Sequence, residues 1–310
     1  MPDANALSFE QQVAMFRATA SDPQARMEFA ASRAAVINPL LNEQSTVRAI
    51  FTPEQLAPGA SARYDVPFED SECVWMMPNI GGIPTVQVEG AEFYVDTFGI
   101  DGGIEYQMDI ARDGRFQVAQ RATTMLANRF IRQEEMCGWA LIKSHEAALP
   151  ASQKLQAFTD AGVQTAGSGK MNIYTLNELI TMGDTMGIGG RVIKDIYVTP
   201  RRYGDLREQV TNQALPFDMR SRLYGNGSNA TAPTPEIRIH RVYNKKLVPD
   251  NKGYAFTQKE GWTYGVMPIR EGLITRDNPI AVLEWKIGTI GRIRLGFGVL
   301  DDKGLIVVSF

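Results

Sequence analysis

Histidine carries much of the acid–base catalysis and metal binding found in proteins near neutral pH, and this sequence contains two, His145 and His240. Neither has a Cys, Asp or Glu at a recognised metal-ligand spacing. His145 is expected near a helix end in a polar surface role. His240 falls in the alternating run 236–243 and is expected to point outward from a strand. We therefore predict no metal site and no histidine-based catalysis.

Two glycine-rich stretches resemble phosphate-binding loops but lack required positions. A P-loop needs Gly, four residues and then Gly-Lys-Ser/Thr. Before Gly169-Lys170, the place of the first glycine holds Gln164, and the place of the magnesium-binding hydroxyl holds Met171. The run 187–190 lacks the third glycine of a dinucleotide-binding fingerprint and is predicted to be a helix stop. No cofactor is therefore predicted.

Carboxylates and thiols are the remaining candidates for chemistry. The adjacent glutamates at 134–135 and aspartates at 301–302 are expected to be solvated surface rather than acid–base pairs. Cys73 and Cys137 are too few for a disulfide framework and are expected to be idle thiols in a reducing compartment. No residue of the sequence stands out as catalytic, and we do not expect an enzyme.

Composition sets wider limits. At 310 residues the chain suggests about two domains. With 44% hydrophobic and 22% charged residues, disorder throughout is excluded. A net charge of −3 argues against a dedicated nucleic-acid binder. No apolar run approaches the roughly 18 residues of a membrane span, and the N-terminus lacks the features of a signal peptide.

Residues 1–45 are helix-prone, with predicted helix starts at Ser8 and at Asp22-Pro23 and a predicted end at Pro39. This segment is only weakly apolar, so a neighbouring surface is expected to help hold it. Residues 46–110 are predicted to be extended and hard to bury alone, which favours a long hairpin reaching out from the body. The predicted strands of this region are 47–51, 62–66, 85–88, 93–95 and 104–108.

The strongest predicted helix covers residues 112–149, capped by Asp109 or Asp113 and stopped by Pro150. If continuous, it is about 55 Å long at 1.5 Å per residue. Its apolar face repeats at helical spacing through Ala119, Ala122, Leu126, Phe130, Cys137 and Leu141.

After a link at 162–169 the pattern becomes α/β. A capping box at 175–178 opens a helix that ends at the glycines 187–190. A strand at 192–198 leads to a helix opened by Thr199-Pro200. Further strands are predicted at 236–243, 253–257 and 262–269, and two closing strands flank a hairpin turn at 301–304.

The order of these parts resembles the major capsid protein of tailed bacteriophages, the family with the Hong Kong 97-like fold. The segment 132–142, RQEEMCGWALI, is similar to the family's spine helix, because an acidic pair precedes an apolar stretch with an aromatic residue. The segment 195–203, DIYVTPRRY, is similar to the strand–proline–helix step of its axial domain.

The resemblance implies an α+β fold with an N-terminal arm, an extended β-hairpin loop, a long spine helix, a peripheral domain and an axial α/β domain. The arm would be 1–45, and the loop with its flanking strands 46–110. The peripheral domain would be 111–170 plus 281–310 with the spine helix at 112–149, and the axial domain 171–280.

The function implied by the resemblance is self-assembly into pentamers and hexamers of an icosahedral shell that encloses double-stranded DNA. The implied location is the virion capsid, assembled in the host cytoplasm. Two alternatives stay open. One is the shell of an encapsulin-type nanocompartment, and the other is a soluble α/β enzyme that uses the glycine region 162–190.

Implied partners are other copies of the chain in capsomers, a scaffolding or decoration protein, a portal protein at one vertex and packaged double-stranded DNA through non-specific contact. No membrane is expected. About 45 residues precede the first predicted strand, which is expected to be too short for a fused scaffolding domain.

Charge is unevenly distributed along the chain. Residues 54–113 hold twelve acids and two bases, net −10, while residues 191–246 hold eleven bases and five acids, net +6. An acidic loop and a basic axial domain are suited to meet across subunits, so we expect salt-sensitive docking. The candidate inter-subunit contacts are Glu69, Asp70, Glu72, Glu89, Glu92, Arg201, Arg202, Arg220 and Arg222.

Lysine is absent before Lys143. In the family's type member, a lysine of the extended loop forms an isopeptide bond with an asparagine of a neighbouring subunit. That reaction needs a nucleophilic amine on the loop. Residues 50–108 contain no lysine, and the guanidinium of Arg63 stays protonated. We therefore predict no covalent crosslink through this loop.

Overall fold

The computed structural model describes residues 9–67, 90–164, 167, 169–186, 191–211, 230–231, 237–259 and 263–310. The chain divides into two compact units. The first comprises Met1–Ala62, Val95–Gly138 and Met267–Gly298, and the second comprises Arg63–Tyr94, Trp139–Val266 and Val299–Phe310. The domain boundaries given above remain predictions.

The described residues contain both helices and strands. The helices are α1 (Phe9–Ala18), α2 (Pro23–Gln44), α3 (Thr46–Ile50), α4 (Met108–Arg112), α5 (Phe116–Ala148), α6 (Ile173–Thr185), α7 (Pro200–Thr211) and α8 (Pro279–Leu283), with a 3-10 turn at Ala151–Gln153. The strands are β1 (Phe51–Gln55), β2 (Arg63–Pro67), β3 (Gly90–Tyr94), β4 (Phe98–Gln107), β5 (Lys154–Gln156), β6 (Val192–Val198), β7 (Ala230–Thr231), β8 (Arg238–Arg241), β9 (Lys252–Gln258), β10 (Gly265–Asp277), β11 (Lys286–Leu295), β12 (Gly298–Val299) and β13 (Leu305–Ser309). Among the described helices, none has the length and apolar character to cross a membrane.

The first unit is built on a sheet with strand order β1-β10-β11-β4. Strands β11 and β4 pair antiparallel along their full length, which places Gly291 opposite Gly102. The Phe130 ring of α5 lies over this pair. A Cβ added at Gly291 would lie 3.0 Å from that ring, and one added at Gly102 would lie 3.5 Å from it. Because these two glycines have no side chains, α5 can pack closely against the sheet at this point.

The second arm helix, α2, starts where the sequence predicts. Asp22 caps it, because its Oδ1 accepts a hydrogen bond of 2.9 Å from the Gln24 amide. The predicted end at Pro39 is wrong, since the helix continues to Gln44. A proline inside a helix costs about 3 kcal/mol. Ile37 and Leu41 on either side of it are fully buried, and that burial offsets the cost.

The inner face of α2 packs within its own unit. Every fourth residue is buried, from Phe29 through Arg33 to Ile37 and Leu41. The Arg33 guanidinium lies 4.0 Å above the Phe29 ring, and burial lowers its pKa. Because an arginine lies in the middle of this buried face, the sequence of the segment has a low average hydrophobicity. Helix α2 is therefore held by contacts within the chain, and a contribution from a neighbouring surface stays a prediction.

A threonine side chain of the sheet forms hydrogen bonds with the backbone of α2. The Thr275 hydroxyl donates to the Ala30 carbonyl at 2.6 Å and accepts from the Ala34 amide at 3.1 Å. These two groups are the partners of one helical hydrogen bond, so the side chain bridges a step of the helical ladder. Strand β10 thereby fixes the position of the arm helix.

The long predicted helix is confirmed as α5, 33 residues and about 50 Å in length. It begins at Phe116, so the predicted caps Asp109 and Asp113 are wrong. Asp113 instead ends α4, and its carboxylate lies 3.0 Å from Arg115. The chain turns between the two helices at Gly114, whose φ of 69° favours glycine.

The second unit contains a sheet with strand order β5-β13-β9-β6-β8-β7. Strand β13 pairs parallel with β5 and antiparallel with β9. The predicted closing hairpin around 301–304 is therefore wrong. The apolar run 305–308 is fully buried inside the sheet, a placement that burial favours over an edge hairpin.

Helices cover both faces of this sheet. On one face, α6 and α7 bury Leu176, Leu179 and Leu206 against Ile196 and Ala255 of the strands. Tyr197 and Tyr254, each adjacent to one of these strand residues, point to the opposite face. There the Trp139 ring of α5 contacts both tyrosines edge-on, at centroid distances of 5.8 and 5.3 Å. Successive residues of β6 and β9 thus pack alternately against α6 with α7 on one face and against α5 on the other.

Two further details of local structure differ from prediction. The N-cap of α6 is Asn172, whose Oδ1 accepts from the Thr175 amide at 2.9 Å, so the predicted capping box at 175–178 is wrong. Thr175 is buried, and its hydroxyl bonds to Asn172 and to the Lys170 carbonyl. The predicted strand 47–51 is wrong for residues 47–50, which belong to α3, and the strand β1 begins at Phe51.

The base of the predicted long hairpin is confirmed. Strands β2 and β3 pair antiparallel from Arg63 opposite Tyr94 to Pro67 opposite Gly90. The predicted strand 85–88 lies outside the described residues, as does Ser8, the predicted start of α1.

Candidate assembly surfaces

A buried polar cluster fixes the end of the arm to the long helix α5. The Glu134 carboxylate is buried and accepts two hydrogen bonds from Arg48, at 2.8 and 2.9 Å, and one from the Ser45 hydroxyl at 2.8 Å. Glu135 accepts from the Thr46 hydroxyl at 3.0 Å, and burial raises its pKa. We call Ser45, Thr46, Arg48, Glu134 and Glu135 the arm clasp.

The expectation that glutamates 134–135 are solvated surface is therefore wrong. The clasp residues of the arm are 86 to 89 positions away in sequence from the glutamates, so no local pattern could pair them. One signal was available in Gly138, because a glycine inside a strong helix often marks a close packing contact. In the structure this glycine faces Val47 of α3.

Gly138→Ala is expected to destabilise the protein, although alanine alone would favour the helix by about 1 kcal/mol. The added Cβ would lie 2.4 Å from Val47 Cγ1 and 2.9 Å from Val47 Cγ2. Such overlap costs about 1–3 kcal/mol. Urea unfolding of Gly138→Ala, Val47→Ala and the double variant measures the coupling. We expect the double variant to lose less free energy of unfolding than the two single variants lose together, with a difference of about 1 kcal/mol or more. Additive effects would contradict this contact.

Charged and glycine residues that the sequence analysis considered for chemistry make structural contacts within the chain. The Lys170 ammonium lies 2.6 Å from Asp160 and 3.8 Å from Glu208, which satisfies its charge within the chain. Gly169 lies so close to Ala157 that a Cβ would come within 2.5 Å of the Ala157 carbonyl oxygen. Asp301 is buried against Arg191, so the expectation that it is solvated surface is wrong, whereas Asp302 is exposed as expected.

Both histidines are part of the packed second unit. His145 is largely buried rather than on the surface as predicted, and its Nδ1 lies 3.0 Å from the Tyr264 hydroxyl. His240 is half-buried on the face opposite Ile239. Its Nε2 lies 2.6 Å from Asp195 Oδ1, and its ring stacks on Tyr197. Among the described residues, no cluster of side chains could hold a metal ion.

Stability is expected to fall as pH drops below about 6.5, the ordinary pKa of histidine. Burial lowers the pKa of His145, and this effect outweighs the opposing charges of Asp302 and Asp301. Below pH 6.5, His145 therefore binds a proton more readily in the unfolded chain than in the folded chain, and protonation favours unfolding. Urea unfolding at pH 7.5 and 5.5 should show a loss in the wild type that is smaller in His145→Gln. Equal losses would contradict a buried neutral His145.

Of the predicted acidic contact residues, Glu92 is described. It is about half exposed on β3 and forms an ion pair with Arg63 of β2. Asp65 lies directly opposite Glu92 in the hairpin, so Arg63 offsets the repulsion between two like charges. The predicted contacts Glu69, Asp70, Glu72 and Glu89 lie outside the described residues.

The two described residues among the predicted basic contacts differ in how accessible they are to another subunit. Arg201 is exposed on α7. Arg202 donates to the Asp250 carbonyl at 2.7 Å and the Gly169 carbonyl at 3.1 Å, and its guanidinium lies over the Phe310 ring. Arg202 therefore stabilises its own unit, which makes it a poor candidate for an inter-subunit contact. Arg220 and Arg222 lie outside the described residues, and docking of the acidic loop on this basic segment remains a prediction.

Comparison with solved structures decides the fold. A structure from Microbacterium phage Oxtober96 matches with a TM-score of 0.59 and 14% identity, over 86% of this chain and 90% of that one. A structure from Mycobacterium phage Adephagia matches with a TM-score of 0.54 and 13% identity, over 86% and 89%. The capsid structure of Cyanophage P-SCSP1u matches with a TM-score of 0.51 and 17% identity, over 84% and 86%. The chain has the Hong Kong 97-like fold.

The α+β fold class predicted from the order of elements is thus confirmed. Within the Hong Kong 97-like fold, α5 is the long spine helix, and β2 with β3 forms the base of the extended hairpin. No protein-family model and no curated protein matches the sequence. At identities of 13–17%, what the chain shares with these structures is the fold.

Proposed function

We propose that this chain is a major capsid protein whose copies assemble into pentamers and hexamers of a closed icosahedral shell around double-stranded DNA. The observation that carries the proposal is the match to phage structures over most of both chains, including one described as a capsid. A structural role without catalysis is part of the proposal.

The arrangement of the arm supports a mechanical role. The clasp and the Thr275 bridge connect the arm to the spine helix and to strand β10. A shell subunit must keep its contact surfaces in fixed positions, because small errors in angle accumulate when a contact repeats around a closed particle. Buried polar networks that are fully satisfied provide such rigidity.

The contents of particles test the proposal and separate it from an encapsulin-type compartment. Particles containing this chain would be isolated from the cells that make it and treated with nuclease. The protected nucleic acid and the co-purifying proteins would then be quantified. We expect double-stranded DNA that becomes digestible once particles are opened before nuclease treatment. Particles that protect no DNA and carry a stoichiometric enzyme would contradict a genome-enclosing role.

The shell is expected to be held together without covalent bonds through the extended loop, since residues 50–108 contain no lysine. Boiling particles in detergent with reducing agent should release one band near 34 kDa, the mass of a single chain. Omitting the reducing agent controls for a disulfide through Cys73 or Cys137. A ladder of covalent oligomers that survives reduction would contradict the prediction.

A further inference from the structure

An apolar patch lies at the connection between β10 and β11 of the first unit. Ile280, Leu283 and Trp285 are 69%, 83% and 68% exposed. We call these three side chains the Trp285 patch. Single exposed apolar side chains are ordinary on protein surfaces, but three large ones within six residues are a concentration that marks an interaction site.

The backbone at Trp285 is held in an unfavourable conformation. Its φ of 58° lies in the left-handed region, which glycine adopts readily and residues with a Cβ adopt at a cost. Its carbonyl accepts from the Met108 amide at 2.9 Å, and its amide donates to the Val282 carbonyl at 3.1 Å. The chain thus keeps a mostly exposed indole at a position suited to glycine. Strain that packing does not explain points to a function for the side chain.

The support beneath the patch is rigid. Asn278 caps α8 through a hydrogen bond from the Ile280 amide, and its side-chain amide donates to Glu105 at 3.0 Å. Ala281 is buried against Gly288, where an added Cβ would lie 3.1 Å from the Ala281 Cβ. Because the patch is already ordered, little conformational freedom would be lost when a partner binds.

Charges of both signs surround the patch. The Arg112 guanidinium lies 5.7 Å from the centre of the Trp285 ring. Lys286 lies 2.5 Å from Glu284 and 3.7 Å from Glu105. An aromatic and aliphatic centre with a polar rim is typical of a protein–protein contact. Arg112 is also paired with Asp109, so the bases around the patch are balanced by acids and do not favour a polyanion such as DNA.

We propose that the Trp285 patch is a contact surface between copies of this chain. The charged residues around the patch include both acids and bases. This suits a second copy of the chain as the partner, because acids of one copy can face bases of the other. The inference rests on the proposed shell function and identifies one surface through which the shell is held together.

Trp285→Gly tests the proposal sharply, since it removes the indole and relieves the backbone strain at the same time. We expect the thermal midpoint of the isolated protomer to be unchanged or raised. The protein concentration needed for particles to form, measured by sedimentation, should rise at least tenfold. Leu283→Asp should give a similar rise. The matched control is Tyr243→Ala in the second unit, where a side chain that is 73% exposed is removed. It should change the concentration less than twofold.

The outcomes separate this inference from the function on which it rests. If wild-type protein forms particles and both patch variants do so at the wild-type concentration, the inference is wrong and the shell function stands. If wild-type protein forms no particles, both fail. If Trp285→Gly lowers protomer stability, Leu283→Asp decides, because its side chain is almost fully outside the fold.

Discussion

Replacing Glu134 with alanine is expected to lower the free energy of unfolding of the dissociated protein by about 3–5 kcal/mol. The Glu134 carboxylate is buried, and Arg48 and Ser45 direct three hydrogen bonds to it. Removing it leaves the Arg48 guanidinium largely buried without its counter-charge, and an unpaired buried charge is costly. Urea unfolding at low protein concentration measures the change.

Two variants control this experiment. Asp101→Asn removes the 2.9 Å pair with Arg292, in which both side chains are about half exposed, and should cost at most about 1 kcal/mol. The double change Arg48→Met with Glu134→Leu replaces the buried pair by apolar side chains and should recover most of the lost stability. Equal effects of Glu134→Ala and Asp101→Asn would show that the clasp does not hold the arm.

Trp139→Ala is expected to cost about 3–5 kcal/mol, because truncating a buried tryptophan removes its packing and leaves a cavity. The ring is fully buried in the second unit and contacts Tyr197 and Tyr254 edge-on. Unfolding followed by circular dichroism gives the free energy. Near-ultraviolet spectra should also lose the signal of the ordered aromatic cluster.

The matched control is Trp285→Ala, since that indole is mostly exposed and contributes little to the fold of the protomer. Its effect on unfolding should stay within about 0.5 kcal/mol. Comparable losses from Trp139→Ala and Trp285→Ala would contradict the placement of Trp139 between α5 and the sheet.

Elements with strong local periodicity could be predicted from sequence. The strand 192–198 has the bounds expected from its β-branched residues, and the long helix was found because its apolar residues repeat at helical spacing. The step from Thr199-Pro200 into α7 was also expected, since proline favours the first turn of a helix.

The predictions that proved wrong are those in which distant contacts decide the local structure. Pro39 stays inside a helix because Ile37 and Leu41 are buried against other elements. Residues 46–50 form a helix instead of a strand, with Thr46 and Arg48 bonded to glutamates more than 80 positions away. Local propensity is a weak prior that tertiary contacts override.

The candidate contact residues were harder to predict than the fold. Summed charge treats Arg191, Arg201 and Arg202 alike, yet the structure buries the first against Asp301 and engages the third in contacts to two carbonyls. A count of charges cannot distinguish exposed bases from those used internally. The Trp285 patch could not be predicted, because the sequence alone does not tell whether the short apolar run 280–285 after Asn278-Pro279 is buried or exposed.

Electron microscopy of the purified protein tests the central proposal most directly. Because the chain has the Hong Kong 97-like fold, we expect uniform closed particles with icosahedral symmetry, in which this fold fits the repeating density of the shell. The same sample should sediment far ahead of a 34.3 kDa protein. A monodisperse 34.3 kDa monomer across the micromolar range, with no closed particles in the images, would contradict the account.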